Sequence, residues 1–406
     1  MDILKNGDIT TVLLNAVFAT FISVLFLLLG NVIYKKSSLI RKLCIPAPVV
    51  GGLVFAIINL LLHSFAGVEV EFDETIYNFF ALLFFTTLGY AINLGVVKKA
   101  GKMILIFFIT TVILTIVQNF VAVGISKATG ISPLVGLMAG SPSLVGGHSN
   151  AAAFGAIAEE WGHEGAVTFG MAASTYGLIA GVMLGNLVAE VLIKRHNLST
   201  VAQDMGDLAD ESDEKGHMFS GNALTMAMMR LVLTTGVGLV LYVVWGALVP
   251  SVTITPLIWG LIVAVFVKIF DDKRGKKLPT VEMQALGKTF LAMFVAQAVA
   301  SMKLWQLVGL ALPLVLILVV NTIITFIFVI AITYRICGRN YDSACIADGQ
   351  FGFGMGSVIV SVANLDEISK KYSTSKLAYF VVPIVGAMLS NISNALIVST
   401  FMNFLR

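Results

Sequence analysis

Two short stretches hold most of the polar chemistry in an otherwise apolar chain. The first, AGSPSLVGGHSNAAAFG (Ala139–Gly155), supplies Ser141, Ser143, Gly146, Gly147, His148, Ser149 and Asn150. The second, ADGQFGFGMGSVIVSVA (Ala347–Ala363), supplies Asp348, Gln350, Gly352, Gly354, Gly356 and Ser357. Glycine lacks a β-carbon and allows tight turns and close approach of the backbone to a ligand. Helix ends formed at such breaks leave amides that favour a carboxylate and carbonyls that favour a cation. That chemistry suits an anionic solute carried together with Na⁺.

Irregular backbone of this kind cannot face lipid, because each unpaired amide or carbonyl costs several kcal/mol in hydrocarbon. It must be buried in protein or line a watery cavity. Two such breaks at matching places in the two halves of a chain point to the binding site of a secondary transporter. The alternative is a glycine packing face between helices. Clustering favours the first reading, since Gly349, Gly352, Gly354 and Gly356 fall within eight residues.

Around the tips, Ser141, Ser143, Gly146, Gly147, His148, Ser149, Asn150, Gln350, Gly352, Gly354, Gly356 and Ser357 are the substrate-binding candidates. His148 either donates to a carboxylate or is structural. Asp348 is the only carboxylate expected far from both membrane surfaces, and an ionisable group at that depth is by default a functional candidate. Its roles could be a Na⁺ ligand, a partner for a substrate ammonium, a proton carrier or a structural partner for a neighbouring amide. Thr86, Thr87, Asn93 and Gln297 are expected to complete the cavity wall on the cation side. Gln118 and Asn321, at similar places in two later spans, are expected to bond between helices. No nucleophile–base pair, phosphate loop or metal-ligand spacing is visible, so neither an enzyme nor a cofactor is expected.

The elements that must position these residues follow from composition. Of 406 residues, 58% are hydrophobic and 12% charged, and the mean hydropathy is +0.93. Soluble domains carry about a quarter charged residues, so this is a polytopic membrane protein. A net charge of +3 spread over short loops excludes a nucleic-acid-binding surface. The three cysteines, Cys44, Cys337 and Cys345, do not suggest a disulfide framework. The apolar run from Val12 to Ile33 has no small-residue cleavage site after it and reads as a retained first helix.

Apolar segments of about 20 residues suit a hydrocarbon core of roughly 30 Å. They run approximately 11–33, 45–62, 77–97, 103–126 and 166–193, then 222–249, 254–270, 286–303, 306–334 and 376–402. Broken segments fall at about 132–158 and 341–366. The expected fold is an all-α polytopic membrane protein of two inverted repeats, 1–193 and 222–406. Each repeat has five transmembrane helices and one re-entrant hairpin. The linker, residues 194–221, is polar and acidic and reads as a solvated cytoplasmic segment. Phe80–Leu94 aligns without a gap with Phe290–Leu304, which supports the repeat.

Five spans per half would insert the second half upside down. With both termini outside, nineteen lysines and arginines lie in cytoplasmic loops and four lie outside, as the positive-inside rule demands. From Gly136 to Gly146 is about 15 Å of helix, half the core thickness, so tips entering from opposite sides could meet at the midplane.

CIPAPVVGG (Cys44–Gly52), FFTTLG (Phe84–Gly89), AGSPSLVGGH (Ala139–His148), KLW (Lys303–Trp305), ALPLVLILVV (Ala311–Val320), NYDSA (Asn340–Ala344), GFGMG (Gly352–Gly356) and VVPIVGA (Val381–Ala387) occur in that order. Together they resemble the bacterial sodium/glutamate symporter family from about residue 20 to the end. The resemblance implies ten spans, two opposed re-entrant hairpins and Na⁺-coupled glutamate uptake at the inner membrane. It also implies a homodimer and an elevator-like motion. Gly140-Ser141, Gly146–His148 and Gly352–Gly356 fall on the family's hairpin motifs, and Thr87 and Asn93 on its third span. The chain departs from the family pattern at Val145, at Ser149-Asn150-Ala151 and at Asp348-Gly349-Gln350. The expected motion carries spans 3 to 5 and 8 to 10 against spans 1, 2, 6 and 7. The alternatives are the same fold carrying another amino acid or organic anion, with a proton on Asp348 in place of one Na⁺, and a passive channel.

Overall fold

In the computed structural model, which describes residues 2–6, 9–91, 101–198, 220–249, 254–275 and 278–406, the first long helix starts at an asparagine cap. Asn15 Oδ1 accepts the Phe18 N–H at 3.0 Å, and α1 runs Ala16–Lys36. Hydropathy alone would start this helix nearer residue 11. Instead Ile9–Leu14 form a strand, β2, paired antiparallel with β1 (Asp2–Asn6) and parallel with β3 (Val68–Phe72). Ile9, Thr10, Thr11 and Val12 are β-branched, which suits a pleated surface. Asn59 then anchors the sheet by accepting the Val70 N–H (2.8 Å) and donating to the Val70 carbonyl (3.0 Å).

The remaining elements are helical: α2 (Ser38–Lys42), α3 (Ala47–Leu61), α4 (Thr75–Tyr90), α5 (Gly101–Thr129), α6 (Pro133–Leu137), α7 (Ser141–Leu144), α8 (Gly147–Glu160) and α9 (Ala166–His196). They continue with α10 (Gly221–Leu248), α11 (Pro256–Lys273), α12 (Thr280–Ala300), α13 (Leu307–Phe328, helical on to Ile336), α14 (Tyr341–Met355), α15 (Val358–Lys371) and α16 (Lys376–Leu405). Among the described residues eight helices are long and apolar enough to cross a bilayer: α1, α3, α5, α9, α10, α12, α13 and α16. Of the other two expected spans, α4 has 16 described residues. In α11 the last turns carry Lys268, Asp271, Asp272 and Lys273. Arg230 pairs with Asp271 at 2.7 Å and Lys268 with Asp272 at 2.5 Å. The chain is thus an all-α multi-pass membrane protein with a small sheet at one end.

Helix packing divides the molecule. One buried core joins α5, α6–α9 and α13–α16. A second joins α3, α4, α10, α11 and α12 to the alanine face of α8, at Ala151, Ala152, Ala153 and Ala156. Helices α4 and α12, the third and eighth spans, therefore pack with α1, α3, α10 and α11, and not with the bundle that the span order assigns them to. They lie antiparallel to each other: Gln297 near the end of α12 donates to the Asp73 carbonyl ahead of α4 (3.0 Å). At the other end of the pair, Gly287 packs on Thr87.

Glycines of the IPAPVVGG motif serve this scaffold. A β-carbon on Gly51 would stand 2.0 Å from the Phe26 carbonyl oxygen, and one on Gly30 2.3 Å from that of Ala47. Neither substitution fits without separating α1 from α3, whose close approach depends on small residues at the crossing. Contacts also place both chain ends on one face. There β3 meets Lys303 through Glu71 (2.5 Å), His63 stacks on Trp305, and Arg406 lies over Trp161. Residues 199–219 of the linker lie outside the described residues.

Candidate functional site

The two broken segments interrupt their helices close to where the sequence places the turns. In the first, α6 ends at Leu137, α7 occupies Ser141–Leu144, and the chain turns through Gly146 into α8 with Gly147 at φ +65°. In the second, α14 ends at Met355 and α15 begins at Val358, with Gly356 and Ser357 between them. The tips meet. A β-carbon on Gly147 would lie 3.4 Å from the Gly356 carbonyl oxygen.

Gly147 needs glycine for its left-handed backbone. The helices that leave the two tips, α8 and α15, have no side-chain cap on their first turns. Such a turn presents unpaired N–H groups and the positive end of the helix dipole. The carbonyls that end the preceding helices sit beside them. Gly146, Gly147, Ser149 and Ser357 are part-exposed, whereas the limbs behind them are buried.

The tips are held from behind by buried polar side chains. Asn119 of α5 accepts the Ser141 N–H (2.8 Å). Asn394 of α16 accepts the Ser141 hydroxyl (2.7 Å) and donates to the Ser141 carbonyl (3.1 Å). Ser143 is committed to the carbonyls of Met138 and Gly170, the latter at 2.8 Å. At the second tip, Gln118 of α5 donates to the Gly354 carbonyl (2.7 Å) and to Thr325 (3.0 Å). Gln350 donates to Thr111 (3.3 Å) and accepts from Thr333.

Ser141, Ser143 and Gln350 thus position the tips, while Gly146, Gly147, Ser149 and Ser357 are the part-exposed residues there, with the Ser149 hydroxyl on the Gly146 carbonyl (3.3 Å). His148 sits between these roles. Thr175 gives its own proton to the Met171 carbonyl (3.0 Å), so His148 Nε2 donates to Thr175 (3.1 Å) and only Nδ1 is left for a solute. The Asn150 side chain packs on Gly146, and its Nδ2 has no partner. Gly352 and Gly354 lie inside α14, where Gly352 meets Ser361 and Gly354 meets Leu114.

The cation-side candidates are not gathered at the tips. Thr86 pairs with Thr235 (2.9 Å), Thr87 donates to the Phe84 carbonyl (2.6 Å), and Gln297 bonds ahead of α4. Asn93 lies outside the described residues. Asp348 lies seven residues before Met355, about 10 Å along the helix. It is fully buried beside Ala189 of α9, and neither carboxyl oxygen has a hydrogen-bond partner.

Sequence reasoning missed Asn119, Asn394 and the glycine ridge of α9. Along that ridge, Gly177 meets Met355, Gly181 meets Gly352, and Gly185 meets Asn364. The four-residue glycine spacing is the packing signal that could have revealed the ridge.

On the face that holds the chain ends lies a cavity of about 310 Å³, lined by Glu71, Glu74, Tyr77, Glu159, Thr168 and Lys303. Burial pushes the Glu159 carboxyl up to about 7; nearby Glu74 adds to the rise, while the Val167 N–H, which Glu159 accepts at 3.0 Å, and Lys303 oppose it. A raised carboxyl binds its proton more tightly in the folded chain, so its stabilising contribution is complete below the ordinary value of 4.5 and is lost as pH rises through about 7. Glu159→Gln keeps an acceptor for Val167 and removes the titration. The thermal midpoint of the purified native protein should fall between pH 5 and pH 8 by about 3 °C more than that of the variant. Parallel midpoints, read by intrinsic fluorescence in detergent, would contradict this.

A family model described as "Sodium/glutamate symporter" matches residues 12–374. A protein of Escherichia coli (strain K12) named sodium/glutamate symporter is 33% identical over 390 residues, covering 93% of this chain and 95% of its own length. A protein of the same name from Haemophilus influenzae is 30% identical over 379 residues, covering 91% and 93%. The matches run through both broken segments and most of the helices that support them, and the chain belongs to the sodium/glutamate symporter family.

Proposed function

We propose that this protein is a Na⁺-coupled glutamate symporter working by alternating access. Residues 1–193 and 222–406 are its two inverted repeats, and each carries one re-entrant hairpin. The observation that carries the reading is the approach of Gly147 to Gly356 with two uncapped helix starts beside it. Those amides, helped by Ser149, Ser357 and His148, bind a carboxylate of glutamate. Carbonyl oxygens at the ends of α7 and α14 face the companion Na⁺. The family names of the relatives supply solute and ion; the tip chemistry fits both.

The moving body is α5 with both hairpins, α9, α13 and α16, and the scaffold is α1, α3, α4, α10, α11 and α12. Loading changes the relative free energies of the two positions only through ligand contacts that differ between them. Closure of the tips around solute and ion supplies that difference. The protein works as a homodimer in the bacterial inner membrane with both termini outward.

Proteoliposomes with a low-Na⁺ interior should accumulate labelled glutamate when Na⁺ is added outside. Equal uptake with K⁺ replacing Na⁺ would reject sodium coupling. Failure of unlabelled glutamate to compete, with success by another amino acid or organic anion, would keep the fold and change the solute.

A further inference from the structure

Behind the second tip the structure leaves a group of buried amides without partners. Gln118 of α5 uses both protons of its Nε2, one on the Gly354 carbonyl (2.7 Å) and one on Thr325 of α13 (3.0 Å). Its carbonyl oxygen Oε1 has no partner. Asn321 precedes Thr325 by one helical turn, about 6 Å along α13, and neither its Oδ1 nor its Nδ2 is bonded. The neighbouring Asn119 also has an unpaired Nδ2. Gln118, Asn119, Asn321 and Thr325 are all fully buried.

A buried amide without a partner costs free energy, and native chains rarely keep one without an occupant or a task. Here Gln118 and Asn321 lie on two packed helices that the Gln118–Thr325 bond joins one turn from Asn321, while the Asn119 oxygen is turned to Ser141 at the first tip. Their available oxygens, Gln118 Oε1, Asn321 Oδ1 and the second lone pair of Thr325 Oγ1, are hard and uncharged. Oxygen donors of this kind suit alkali and alkaline-earth ions and not soft metals. A divalent ion would bring two buried charges with no carboxylate to meet them, and no group of three or more His, Cys, Asp or Glu able to hold a metal occurs among the described residues.

We infer that Gln118, Asn321 and Thr325 form a binding site for one monovalent cation, Na⁺, behind the second tip. The inference rests on the Na⁺-coupled reading of the protein and adds a residue-level site to it. The cation on Oε1 draws electron density from the Gln118 amide, so its Nε2–H bond to the Gly354 carbonyl strengthens when the ion is present. One side chain thereby ties ion occupancy to the geometry of the tip that holds the solute. The free Nδ2 of Asn321 would bond water admitted with the ion.

The test uses the purified full-length protein without glutamate, titrated with NaCl against KCl at constant ionic strength while the thermal midpoint is followed. The native protein should be stabilised by Na⁺ and not by K⁺, with at least a tenfold higher half-saturating Na⁺ in Asn321→Ala. Asn321→Asp keeps an oxygen ligand and adds charge, and it should lower that concentration several-fold. In proteoliposomes the half-activating Na⁺ for glutamate uptake should move the same way. A Na⁺ dependence identical in native protein and Asn321→Ala would overturn the site and leave a buried water as the occupant. Should Asn321→Ala fail to fold, an unaltered Na⁺ titration in Asn321→Asp would overturn it equally. If uptake by the native protein proved indifferent to Na⁺ while the Na⁺-specific shift remained and was lost in Asn321→Ala, the site would stand and the coupling reading would fall.

Discussion

Gly177→Ala should reduce glutamate uptake at least tenfold while leaving the amount of protein in the membrane unchanged. A β-carbon there would stand 1.9 Å from the Met355 carbonyl oxygen. That oxygen belongs to the backbone immediately before Gly356, so no side-chain rotation relieves the overlap. The tip must move by about 1 Å or more to reach ordinary contact, since well-packed interiors have no spare volume. A displacement of this size at the proposed site, where two helix ends are to converge on one solute, is enough to lose most of the binding. Gly124→Ala is the matched control, because nothing lies within 4 Å of its added carbon. Alanine is favoured over glycine in a helix by about 1 kcal/mol, so this control should transport normally. Native-like uptake by Gly177→Ala would mean that α9 does not set the position of the second tip.

Asn394→Ala should have a comparable effect through the first tip. The asparagine satisfies both the hydroxyl and the carbonyl of Ser141, at 2.7 and 3.1 Å, in a fully buried setting. Its removal leaves the buried Ser141 hydroxyl without its acceptor, at about 1–3 kcal/mol for such a group, while the carbonyl keeps the Val145 and Gly146 amides. The expected outcome is about a tenfold loss of uptake rate. Ser141→Ala alone should lose less, because the Asn394 bond to the carbonyl survives. The double variant should be no worse than Asn394→Ala, since two groups that act through one contact are not additive. Additive losses would show that Asn394 acts on transport by another route.

The helices and the two breaks are legible in the sequence for one reason. In an apolar background, a run of glycine, serine and asparagine has only a few structural solutions, and span length fixes the rest. The turns fall accordingly at Gly146–Gly147 and at Gly356–Ser357. Hydropathy fails where two structures share one pattern: Ile9–Leu14 is as apolar as the helix after it, and only its β-branching distinguishes a strand.

Polarity also misleads on the spans. Thr86 bonds the carbonyl one turn back and its neighbour Thr235, so a threonine pair that reads as a cavity wall is satisfied within the scaffold. Asn119 follows Gln118 and Asn394 closes the run SNISN, and nothing in the chain's order says that both reach Ser141. Asn321, which reads as an interhelical hydrogen-bonding residue, bonds to nothing among the described residues. That departure is what exposes the unpaired amides behind the second tip.

Whether the meeting point of the tips holds the solute is best decided by a density map of the protein loaded with Na⁺ and glutamate. We predict density for a carboxylate against the backbone amides at the start of α8, between Gly147 and Gly356, lost when glutamate is omitted. Glutamate density elsewhere, with this gap unchanged between loaded and empty protein, would contradict the account.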